Sequence, residues 1–214
     1  GHTGSVATSI LLPQVRDAID VPIAAAGGFR DGRGLVAALA MGADGIAMGT
    51  RFLLTQESPV PEATKLIYLR TPPEKIVVST RLDGLPQRMI ANEYLDRLIR
   101  ASQLGLLVRA VKNGLAFSRM TGGSLIATLG GAWKMYRSGD LSFGQTLMAA
   151  NSPMMIQEAM VKGNPHDGIL PSGQVAGLID DLPTVAELVA TIVSDAETAA
   201  RSIQTTVCTT SNSD

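Results

Sequence analysis

The chain carries one cysteine and one tryptophan, and aromatics make up only 4% of its 214 residues. With Cys208 alone, no disulfide can form within the chain, which fits a reducing compartment and an expected cytoplasmic location. No run of about 18 apolar residues occurs, so no membrane-spanning helix is expected. No basic-then-apolar leader opens the sequence. Charge is scarce as well, at 17% of residues with a formal net charge of −1. The 18 Lys and Arg residues are spread out, so neither nucleic acid nor an anionic membrane is an expected partner. Histidine occurs only at positions 2 and 166. Acidic residues show no metal-ligand spacing with these or with the cysteine, so no metal site is expected.

What is present is apolar material for a core, 45% of residues, and strand endings rich in glycine. Val21-Pro-Ile-Ala-Ala-Ala-Gly-Gly28 is an apolar run that stops on two glycines. Gly45-Ile-Ala-Met-Gly-Thr50 is a second run that stops on Gly-Thr. A helical stretch, Gly32 to Met41, lies between them, so the segment reads as a βαβ unit. Glycine at both strand ends lets backbone approach a ligand closely, and loops at the carboxyl end of a parallel sheet are where barrels hold phosphate. Packing or turn geometry accounts for such glycines equally well. Only two parallel strands are evident, whereas a full (β/α)8 barrel takes about 250 residues. The chain opens at Gly1 inside a motif and reads as the later part of a longer protein.

Along the chain, Ile10, Leu11, Val15, Ala18 and Ile19 share a helical face behind a Ser9 cap. Asp31 is placed to cap the helix from Gly32, and Gly42 to end it in a left-handed conformation. Pro61 and Glu62 suit a helix start leading into Ala63 to Arg70, and Lys75 to Thr80 reads as extended. Residues from about 90 to 162 are mostly helical by pattern. They include a helix capped by Asn92, stretches at Leu104–Val111 and Leu125–Tyr136, and a methionine-rich helix opened by Ser142 and Gln145. Thr184 with Glu187 forms a capping box before a last helix whose face is Val185, Leu188, Val189, Ile192 and Val193. The Ser/Thr-rich end from Thr205 to Asp214 reads as a frayed tail.

Gly1-His2-Thr3-Gly4, Ala25-Ala-Gly-Gly-Phe-Arg-Asp-Gly-Arg-Gly34 and Met41-Gly-Ala-Asp-Gly-Ile-Ala-Met-Gly-Thr-Arg-Phe52 together resemble the nitronate monooxygenase family, also called 2-nitropropane dioxygenases. The segment Gly173-Gln-Val-Ala-Gly-Leu-Ile-Asp-Asp-Leu-Pro-Thr-Val-Ala-Glu187 looks like that family's usual ending. The resemblance implies an α/β fold, the C-terminal part of a (β/α)8 TIM barrel with an added mostly helical lobe, and an FMN-dependent oxidoreductase. It places the last barrel strands and helices at 1–58, a helical substrate lobe at 59–170, a segment returning to the barrel at 171–204 and a tail at 205–214. It also implies a small-molecule substrate, a nitronate or an acyl thioester, and leaves a homo-oligomer open.

Carried over by position, Gly27 and Gly28 resemble the turn whose backbone faces the flavin phosphate. Ala47, Met48, Gly49 and Thr50 resemble the stretch that completes the cradle. Gly1 and His2 resemble the pair beside the flavin ring, with His2 the implied catalytic base, a task suited to an imidazole that titrates near neutrality. His166 reads as a solvated loop residue. Ser172-Gly173-Gln174 either folds back beside the flavin or is a plain loop. Met148, Met154, Met155 and Met160 line an acyl pocket or are ordinary core. With Arg97, Arg100 and Arg109 they form the candidate shelter for a large anionic thioester. Asp180-Asp181 reads as capping charge. Three functions follow from the resemblance: oxidation of alkyl nitronates with oxygen, an NAD(P)H-dependent enoyl or acyl-CoA reductase, or a flavin-binding fragment without turnover.

Overall fold

The computed structural model describes residues 1–101 and 143–208, with side chains described at 1–101 and 152–208. The stretches at Leu104–Val111 and Leu125–Tyr136, with Arg109, Ser142 and the Met148 side chain, lie outside the described residues. The chain divides into two compact units. One comprises residues 4–58, 68–73 and 173–214; the other comprises residues 1–3, 59–67 and 74–172.

In the first unit the predicted βαβ segment forms. Strand β1 (Ala24–Ala26) pairs in parallel with β2 (Gly45–Ala47), matching Ala24 to Gly45, Ala25 to Ile46 and Ala26 to Ala47. A parallel pair needs a crossover, and α2 (Gly32–Ala40) supplies it. Asp31 caps that helix as expected, its Oδ1 accepting from Gly34 N–H at 3.2 Å, and Gly42 closes it at φ +91°. The preceding helix α1 (Thr8–Ala18) departs from expectation. Its cap residue is Ala7 with no side-chain bond, so Ser9 is not the cap. Leu12 is the buried residue, while Ile10 and Leu11 are exposed. The face is set by tertiary contacts: Arg16 reaches past the end of α2, donating Nε–H to Gly42 O at 2.7 Å and Nη2–H to Asp44 at 2.9 Å. The same Asp44 carboxylate accepts from Ile23 N–H at 2.8 Å, which ties the entry to β1 to the entry to β2. Leu12, Ala25, Phe29, Ala38 and Ala43 form the core beneath.

Helix α3 (Thr50–Leu53) follows β2 directly. Helix α4 (Glu62–Arg70) starts after Pro61 as predicted, and its residues divide between the two units. The closing helix of this unit runs from Val185 to Cys208 and begins with the predicted capping box. Thr184 N–H donates to Glu187 Oε2 at 2.8 Å, and Glu187 N–H donates to Thr184 Oγ1 at 3.2 Å. Leu188 and Ile192 are buried, whereas Val189 and Val193 are exposed. The frayed tail does not start at Thr205. Thr205 and Thr206 donate to the carbonyls of Arg201 and Ser202, at 3.0 and 2.9 Å, and the helix continues through them. Helix α2 packs on this helix most closely at Gly32, where a Cβ would meet Ala196 N and stand 2.5 Å from Ile192 O.

The second unit contains a hairpin that the pattern only half revealed. Strand β3 (Ile76–Ser79) pairs antiparallel with β4 (Gln87–Ile90). The far edge of β4 is covered by two short segments. Gly1 O accepts from Arg88 N–H at 2.8 Å and Thr3 N–H donates to Pro86 O at 3.0 Å, while Ile90 N–H donates to Leu170 O at 3.0 Å. Helix α5 (Glu93–Arg100) is capped by Asn92, whose Oδ1 accepts from Leu95 N–H at 2.8 Å, as predicted. Helix α6 (Phe143–Met160) contributes Met155 to a core with Leu82, Met89, Leu95, Leu98 and Ile169. Met155 is therefore core material, and Met154 and Met160 are half-buried. Numbered in chain order, the Val185–Cys208 helix is α7.

Two outcomes test these contacts. Gly32→Ala should lower stability despite the better helix propensity of alanine, by about 1–3 kcal/mol, because backbone atoms of α7 must move. An unchanged midpoint in thermal unfolding of the full protein would contradict the close approach. The Arg33 hydrogen bond holds the Asp31 carboxyl below its ordinary range. A depressed folded-state pKa gives stability that is present at neutral pH and is lost as pH falls through it. Asn keeps the cap acceptor but not the charge. Wild type should therefore exceed Asp31→Asn in stability at neutral pH, with the gap closing in acid.

Candidate functional site

The register of β1 against β2 decides where the glycine turns go. Ala26 lies beside Ala47, so the next residues of both strands leave the same end of the sheet side by side. Gly27 and Gly28 emerge there at φ +103° and +88°, a region that side-chain-bearing residues rarely enter. Gly27, Gly28, Ala47 and Gly49 are exposed, and a Cβ at Gly28 or Gly49 would meet nothing within 4 Å. Space is open beside the backbone of Gly28 and Gly49. Met48 contributes backbone only, because its side chain packs on the Leu12–Phe29 core.

Thr50 opens α3, and its Oγ1 accepts from Gly173 N–H at 2.8 Å. A hydroxyl that accepts this bond keeps its own proton to donate elsewhere. The loop at Gly173 is thus held to Thr50. The next residue, Arg51, is missed by sequence reasoning. It is 5% exposed, and its Nη2 pairs with Asp181 at 2.8 Å. Asp181 is accordingly a buried arginine's counter-ion and not a helix cap. Nothing local to either residue signals a partner 130 positions away.

Gly1 and His2 belong to the other unit. His2 forms a β-bridge with Gln87, and its Nε2 lies 2.6 Å from Asp83 Oδ2. The imidazole is about half exposed and Asp83 is largely buried. His166 is exposed in its loop. Among the described residues no group of three or more His, Cys, Asp or Glu could hold a metal ion, and no helix is long and apolar enough to cross a membrane.

A sequence profile of the nitronate monooxygenase family matches residues 1–195. The chain belongs to the nitronate monooxygenase family. Members similar to it are named as oxidoreductases. It is 49% identical over 196 residues to the (3aS,4S,5R,7aS)-5-hydroxy-7a-methyl-1-oxo-octahydro-1H-indene-4-carboxyl-CoA dehydrogenase of Rhodococcus jostii, covering 92% of this chain and 56% of that protein. A probable nitronate monooxygenase of Staphylococcus saprophyticus is 40% identical over 96 residues, 45% of this chain and 27% of that one. The chain spans about half the length of the curated relatives it matches. Among solved structures, FabK from Thermotoga maritima, a TIM-barrel-like protein, aligns with TM-score 0.65 and 25% identity over 95% of this chain and 53% of that one. The α/β class expected from the sequence is therefore correct.

Replacing Thr50 by Val removes the acceptor for Gly173 N–H and should cost about 1 kcal/mol in unfolding free energy. Ser, which keeps the hydroxyl, should recover most of that loss in the same denaturant titration.

Proposed function

We propose that the chain forms part of an FMN-dependent oxidoreductase acting on a small molecule with an acidic C–H bond. The observation that carries this reading is the pair of glycine turns. Parallel pairing sets Gly27–Gly28 beside Ala47–Thr50, and open space faces the backbone at Gly28 and Gly49. A phosphate dianion is best held by convergent N–H groups and a hydroxyl, and these residues supply both. Gly27, Gly28, Ala47, Met48 and Gly49 would hold the phosphate through backbone and Thr50 through its hydroxyl. The family resemblance alone would assign Gly1 and His2 to the flavin ring. Bound FMN would supply a two-electron acceptor. His2 would accept the proton of the carbon acid or orient the substrate, on a backbone that the β-bridge to Gln87 holds.

Two substrate readings follow. A CoA thioester is favoured by the Rhodococcus relative, a carboxyl-CoA dehydrogenase similar over 92% of the chain. A nitronate is favoured by the family profile over residues 1–195. In a thioester the carbonyl acidifies the α-carbon, and in a nitroalkane the nitro group does so. One base therefore suits a thioester and a nitroalkane, whereas on a nitronate, the nitroalkane's conjugate base, His2 would only orient the substrate.

The purified full protein should show a flavin absorbance band whose chromophore, released by heat, has the mass of FMN. Thr50→Val should weaken FMN binding about 10-fold or more, the loss of one hydrogen bond to a charged group. A colourless protein that cannot be reconstituted with FMN would overturn the cofactor assignment. Aerobic consumption of propyl-2-nitronate without nicotinamide selects the nitronate reading. Oxidation or reduction of an acyl-CoA with inertness to the nitronate selects the thioester. His2→Ala should abolish turnover of an acyl-CoA or of the nitroalkane itself, substrates that must lose a proton, and full retention on these would remove His2 from the chemistry.

A further inference from the structure

We infer that Asp83 is the positioning residue for His2, fixing its ring as the Nε2–H tautomer so that Nδ1 carries the lone pair that takes the proton. The inference rests on the reading of His2 as the base. It goes beyond that reading by naming the group that sets the base's orientation and the nitrogen that reacts.

The geometry begins with the hairpin turn. Gly84 N–H donates to Thr80 O at 2.9 Å, and Arg81 N–H donates to Ser79 Oγ at 3.2 Å, so the turn between β3 and β4 is bonded across itself. Within it, Asp83 Oδ1 accepts from Leu85 N–H at 3.1 Å, which aims the carboxylate. Its other oxygen, Oδ2, lies 2.6 Å from His2 Nε2. Asp83 is 14% exposed, so the pair is only partly screened by water. His2 is held from the backbone side as well. Gly1 O and Thr3 N–H bond Arg88 N–H and Pro86 O, and His2 sits opposite Gln87 between them. The second charged group at this corner is the Arg88 guanidinium, and its Nη1 donates to Thr3 Oγ1 at 2.7 Å.

An ionised carboxylate only accepts, so the nitrogen it touches must carry the hydrogen. In the neutral ring that leaves Nδ1 as the acceptor. The transfer balances simply: the α C–H bond breaks, an N–H bond forms at Nδ1, and the electron pair stays on the substrate as an enolate or nitronate. The resulting imidazolium is stabilised by Asp83, which remains ionised. The carboxylate thus fixes the tautomer of the ring and restricts its rotation.

The test uses ring nitrogen NMR of the full protein with labelled histidine, followed against pH, with solvent-deuterium wash-in at the α-carbon of butyryl-CoA and of 2-nitropropane as the chemical readout. Wild type should show protonated Nε2 and bare Nδ1 in the neutral ring. Asp83→Asn should move the two ring nitrogens toward a tautomer mixture and slow wash-in about 10- to 100-fold, with KM little changed. Asp83→Glu should recover part of both. Bare Nε2 in wild type overturns the inference without any variant being made. So does a wash-in undiminished in Asp83→Asn that His2→Ala abolishes, and there the reading of His2 as base survives. Undiminished wash-in in His2→Ala overturns that reading and the inference with it.

Discussion

The parallel pairing of two three-residue strands is the constraint from which the candidate site follows. Parallel strands cannot be joined by a tight turn, so the chain must leave the sheet, cross over through α2 and return. Because the strands run the same way, their exits fall at the same end. Asp44 and Arg16 reinforce the arrangement by tying both strand entries to one carboxylate. The glycine turns therefore face one another as a consequence of strand direction, with no contact between them required. The crossover helix is in turn pinned to α7 where Gly32 admits the backbone of Ile192 and Ala196.

The elements that could be read from the sequence are those whose signal is local. Asp31, Asn92 and the Thr184–Glu187 box each announce a helix start within four residues, and each makes the expected bond. The βαβ unit was legible because apolar runs end on glycine and bracket a helix-length stretch. The missed features are those decided by distant partners. Leu12 replaces Ile10 and Leu11 as the buried residue of α1 because packing, not periodicity, chooses the face. Strand β4 hides because Gln87 and Arg88 look polar, yet Gln87 is buried under cover from both edges. Arg51 and Asp181 find each other across 130 residues, and His2 and Asp83 across 81. No window of sequence contains both members of either pair.

The two candidate regions divide the work by chemistry. In the proposed function, residues 27–28 and 47–50 would offer backbone and one hydroxyl, groups with fixed polarity that need no ionisation to bind an anion. The corner at His2 offers an imidazole beside a carboxylate, and in the proposal the useful property there would be a proton that can move. Relatives named for such different substrates as a polycyclic carboxyl-CoA and a nitronate fit this division.

The bond from Gly173 to Thr50 has one more consequence. A serine or threonine hydroxyl on a surface loop is normally a free rotor that must be immobilised before it can donate. Here the accepted N–H occupies one lone pair, and the torsion about the C–O bond is already restricted. Much of the orientational entropy that recognition would otherwise cost has been spent during folding. The accepted bond also polarises the O–H, making it a stronger donor than an isolated alcohol.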